Sequence, residues 1–117
     1  MSKTIPENRI LHASGVESAD LSGSGVEFLS SKASAYINVT ALSGTAPTIT
    51  AIIEEQDVLT GGWFTIGTFS ILIDSVSSQR IEISAVNSDQ VRVSWTIGGS
   101  ASPTVTFSVS IAGKDIR

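Results

Sequence analysis

The sequence predicts an all-β fold, an antiparallel β-sandwich or jelly roll of about six to eight strands with an extended N-terminal arm. Three observations predict it. From residue 34 onward, apolar residues recur at every second position in runs rich in Val, Ile and Thr, the period of a half-buried strand. Clusters of Gly, Pro, Asn, Asp and Ser separate those runs. No stretch keeps a helical spacing of apolar residues over three turns.

Residues 1–33 read as an N-terminal arm or edge strands, and residues 34–117 as the sandwich domain. Within the first segment, short apolar pieces fit strands at 10–14 and 25–29, and residues 21–25 (LSGSG) resemble a flexible connector. A GSG without a strand-to-helix context and a lysine is no phosphate loop.

The centre of the fold is predicted at residues 36–57, as a strand, a turn at Ser43-Gly44-Thr45-Ala46-Pro47 and a returning strand. Ala35, Ile37, Val39 and Ala41 are expected to face the core, with Tyr36, Asn38, Thr40 and Leu42 outside. After the turn, Ile49, Ala51 and Ile53 alternate with polar neighbours, and Pro47 sits where a missing N–H breaks no ladder bond. Thr60-Gly61-Gly62 is a turn leading into Trp63, Phe64, Ile66 and Phe69, with aromatics on both faces; one of Trp63 and Phe64 can cap the core while the other meets a partner. Residues 71–73 (ILI) fit a short strand or an anchored loop. Ile81, Ile83 and Ala85 are read as inward, as are Val91, Val93, Trp95 and Ile97, and Val105, Phe107, Val109 and Ile111. Trp95 is the expected central aromatic, its indole N–H bonded to a backbone carbonyl. Residues 87–89 (NSD) are a turn and 98–103 a loop.

Composition narrows the function classes. Serine and threonine supply 31 of 117 residues, which suits hydroxyl-coated sheet faces. With no cysteine, disulfides and thiolate metal sites are out. The net charge is −4 and the seven basic residues are scattered, so neither nucleic acid nor a membrane is an expected partner. No apolar run approaches the roughly 20 residues of a membrane span, and the first ten residues lack a secretory h-region.

Catalytic candidates are few. His12 is the single histidine and has no plausible cleft around it, so neither a Ser-His-Asp arrangement nor a histidine zinc site is expected. Glu54, Glu55, Asp57, Asp74, Glu82 and Asp89 sit in polar contexts where nothing raises a carboxyl pKa for glycosidase chemistry. Residues 54–57 (EEQD) lack the spacing and central glycine of a calcium loop. The chain is therefore expected to be no enzyme, with no catalytic, cofactor or metal residues. Trp63, Phe64 and Tyr36 could instead form an aromatic platform for a sugar.

Residues 39–48 (VTALSGTAPT), 53–55 (IEE), 62–69 (GWFTIGTF) and 91–99 (VRVSWTIGG) carry a resemblance to small all-β virion structural proteins of tailed bacteriophages, across residues 34–112. The resemblance implies a role similar to head decoration or cement proteins. Such a protein binds the outer surface of the major capsid protein lattice and, in oligomeric form with a trimer allowed, itself. It is made in the host cytoplasm and resides on the virion. The expected partner contacts are Ile5, Ile10, Leu11, Leu21 and Trp63, drawn from the arm and one sheet edge. A tail or connector subunit and a carbohydrate-binding module displayed on the virion are the alternatives.

Overall fold

The computed structural model describes residues 7–70 and 72–116. It is an all-β chain whose strands form one antiparallel sheet. These are β1 (Glu7–Glu17), β2 (Leu21–Ser22), β3 (Val26–Glu27), β4 (Ser30–Gln56), β5 (Trp63–Thr68), β6 (Ser77–Ile83) and β7 (Gln90–Ile116). Two of them, β4 and β7, run for 27 residues each and pair with each other from Ser30↔Ile116 to Glu55↔Val91.

That pairing corrects the predicted hairpin. The chain does not return on itself at residues 43–47; both halves of β4 pair with β7. The turn signals are real, but they bend one strand across a partner that bends at the same level. Gly44 and Ala46 in β4 take positive φ, as do Gly99, Ala101 and Ser102 in β7. A Cβ on Gly44 would come within 2.8 Å of the Pro103 Cα, and one on Gly99 within 2.8 Å of the Ala46 carbonyl. The two backbones thus cross at a separation that only glycine allows.

The bend folds the sheet into a sandwich. In one layer the order is β1, the second half of β7, the first half of β4, then β6. In the other it is β2 and β3, the first half of β7, the second half of β4, then β5. The core between them holds the inward sets expected of β4 and β7, among them Ile37, Ile53, Val93 and Phe107, together with Phe28 and Phe69. Trp95 is buried and its indole N–H donates to the Ala19 carbonyl at 3.1 Å.

Two alternations slip. The register shifts between Val39 and Ala41, so Ala41 is exposed and Leu42 packs on the core, the reverse of the predicted facing. An extra residue at Thr40 flips every side chain after it until the bend restores the parity. Likewise β6 ends at Ile83; Ala85 is exposed and Val86 is buried in its place.

Residues 7–27 form edge strands. Leu11 and Phe28 enter the core, and the predicted connector at 21–25 is instead tied to β7 through β2 and through a bond from Gly23 N–H to the Val93 carbonyl. Glu7 locks the start of β1. Its buried carboxylate accepts the Leu29 N–H (2.8 Å), the Ser30 N–H (3.0 Å) and the Ser30 hydroxyl (2.8 Å), with Arg9 at 3.4 Å.

Candidate functional site

Two surfaces stand out: one long edge of the sandwich and a groove at one end. The edge is built by β1 and β2. Among the described residues strand β1 is terminal in its layer and pairs only with β7. Ile10 is 68% exposed and Val16 61%, both on β1 and paired with Ser110 and Thr106; Leu21, on β2 opposite Trp95, is 55% exposed, and these are the exposed apolar side chains of this rim.

Beneath that rim β1 is fixed by its own polar groups. His12 stacks on Phe107 with centroids 4.1 Å apart and meets Trp95 edge-on at 4.9 Å. Its Nδ1 lies 3.0 Å from the Phe107 carbonyl, which can only accept, so Nδ1 carries the hydrogen there; Nε2 lies 2.9 Å from Glu17 Oε2. Both ring nitrogens are thus engaged. Arg9 Nε donates to the Glu27 carbonyl, tying β1 to β3 across the sandwich edge. Asp20 Oδ1 accepts the Ile97 N–H, and the Ser22 and Ser94 hydroxyls bond each other, which hold the crossing segment to β7.

Of the expected contact residues, Ile10 and Leu21 are on this rim, and Ile5 lies outside the described residues. Leu11 is corrected: it is a core residue at 5% exposure, turned inward at a register shift of β1 where Ile10 points out. Trp63 is half-buried, its ring lying against Gly25 between β2 and β3. Arg92 lies over its ring at 4.2 Å while bonding Glu54 Oε1 at 2.9 Å. Val16 was not anticipated; two register shifts separate it from Ile10, so no simple alternation marks it.

The groove forms where both ends of β4 meet the segment before β7. Val86 N–H donates to the Ser31 carbonyl, and Phe28 N–H to the Asp89 carbonyl. Glu55 Oε1 accepts the Asn87 N–H at 2.9 Å. The opposite wall is the 57–62 turn, closed by Asp57 N–H to the Gly62 carbonyl and Gly61 N–H to the Asp57 carbonyl, each at 2.7 Å. Asp57 Oδ1 accepts the Leu59 N–H, and this bond, followed by one from the Thr60 side chain, holds its carboxyl below the usual aspartate value. The cavity is about 570 Å³, and Phe64, Glu55, Gln56, Asn87 and Asp89 help line it.

Among the described residues no three His, Cys, Asp or Glu side chains come close enough to hold a metal ion. Every buried side-chain nitrogen and oxygen among them has a hydrogen-bond partner. No described helix is long and apolar enough to cross a membrane.

No family model matches the sequence, and no curated protein matches it. Among solved structures, one titled "Crystal structure of PirA" matches over 96% of this chain and 96% of its own, with a TM-score of 0.48 and 13% identity.

Proposed function

We propose that this chain is a non-enzymatic structural protein of a phage virion, a decoration or cement subunit that attaches to the outer surface of a major capsid protein lattice by its β1–β2 edge. The observation that carries the proposal is the exposed Ile10 and Val16 on terminal strand β1, whose outer edge is unpaired among the described residues, with the exposed Leu21 on β2. Apolar side chains on an open edge are a hazard for a free monomer and a means of attachment for a lattice protein. A strand edge adds main-chain hydrogen bonds to that contact.

Rigidity supports the same reading. Glu7 and His12 fix β1 before any partner arrives, so little ordering entropy is lost on attachment. An oligomer of the chain that spans several lattice sites gains avidity, so a modest contact at each site suffices.

Co-sedimentation with capsids lacking the protein tests this. The wild-type chain should pellet with capsids, and Ile10→Asp combined with Val16→Asp and Leu21→Asp should stay in the supernatant with an unchanged melting temperature. Undiminished pelleting of that folded variant would overturn the proposal.

A further inference from the structure

We infer that the groove beside Phe64 is a binding site for a neutral saccharide, separate from the β1–β2 edge. Its volume of about 570 Å³ lies within the range of small-ligand sites, and both walls are preformed by the backbone bonds that close the 57–62 turn and pin residues 86–89.

The lining groups select the ligand class. Phe64, the second residue of β5, is 58% exposed and offers an apolar face of the kind the C–H side of a pyranose covers. The side chains of Asn87 and Asp89 make no hydrogen bond within the described residues, although the main chain on either side of them is bonded. Glu55 uses Oε1 on the Asn87 N–H, which leaves Oε2. Together they offer amide donors and carboxylate acceptors at the rim of an apolar wall, the complement of ring hydroxyls.

Charge excludes the alternatives. No lining residue is basic, while Glu55, Asp57 and Asp89 are acidic, so phosphate and carboxylate ligands are repelled. Those acids do not converge closely enough for a metal ion. Spread around the rim, they meet dispersed hydroxyls better than the single point charge of a lysine-bearing peptide.

The test is an amide NMR titration of the full chain with glucose, galactose, mannose, N-acetylglucosamine and their common disaccharides. At least one should give saturable shifts at Phe64, Asn87 and Asp89, with a Kd on the order of 1 mM. Phe64→Ala and Asp89→Asn should each weaken it by about tenfold or more, and Phe64→Tyr should retain it. Phe64 and Asp89 are surface residues, and the melting temperature of each variant checks its fold. No saturable shift up to roughly 50 mM of any sugar overturns the inference. So do groove shifts produced by a lysine-containing peptide and by no sugar. Neither result touches the capsid proposal, which rests on Ile10, Val16 and Leu21 and on no residue that lines the groove.

Discussion

Trp95 and Phe107 lie in the same strand, yet their rings meet edge to face at 5.3 Å. Twelve residues of straight strand would hold them about 40 Å apart. The contact therefore records that β7 doubles back, with β4 beside it, and that the interior is filled by two halves of one strand pair. The bend, the two edges and the end groove all follow from that arrangement.

The bend is the point of greatest backbone sensitivity. Gly44→Ala forces a Cβ into Pro103 and strains a positive φ, so it should lower stability by about 2–4 kcal/mol. Ala101→Gly relieves a left-handed alanine and should be neutral or stabilising, by about 0–1 kcal/mol. Urea unfolding midpoints at constant slope measure both.

Glu7 holds the edge strand by satisfying buried N–H groups. Glu7→Ala orphans the Leu29 and Ser30 donors and should cost about 2–3 kcal/mol. Glu7→Gln keeps one acceptor oxygen and should cost less, about 1 kcal/mol. Amide exchange at Leu29 and Ser30 should quicken in the alanine variant before the rest of the sheet opens.

His12 joins the layers at Trp95. His12→Ala removes a stacked ring and two hydrogen bonds and should destabilise by about 2–3 kcal/mol. It should also red-shift and alter the emission of Trp95, which Trp95→Phe would assign.

The Asp57 contact in the 57–62 turn should weaken only as pH falls below the ordinary aspartate range. The Asp57 carboxyl is depressed below 3.8, first by the Leu59 N–H, so its contribution is present above the unfolded value and lost as pH falls through the folded one. An NMR titration should place the Asp57 midpoint below 3.8, and Asp57→Asn should remove the accompanying shift at Leu59.

Much of the interior was legible because strand burial has period two. Ile49, Ala51 and Ile53, and the whole set from Val105 to Ile111, face inward as their spacing predicts. What escaped is what local pattern does not encode. A cluster such as SGTAP specifies a change of direction, not which strand pairs beyond it, so a bend and a hairpin read alike. The bulge at Thr40 inverts Ala41 and Leu42 with no residue to announce it. Nothing local marks Glu7 as buried, because the N–H groups its carboxylate accepts belong to Leu29 and Ser30, more than twenty residues along the chain. Trp63 is an expected partner contact from the sequence, but Arg92 lies over its ring, and Phe64 beside it is the exposed one.

Amide hydrogen exchange on the chain bound to capsids tests the attachment edge most directly. Residues 8–22 should gain protection, with Ile10, Val16 and Leu21 at its centre, while the 57–64 and 86–89 segments exchange as in the free protein. Protection confined to the β5–β6 edge or the groove, with β1 unchanged, would contradict it.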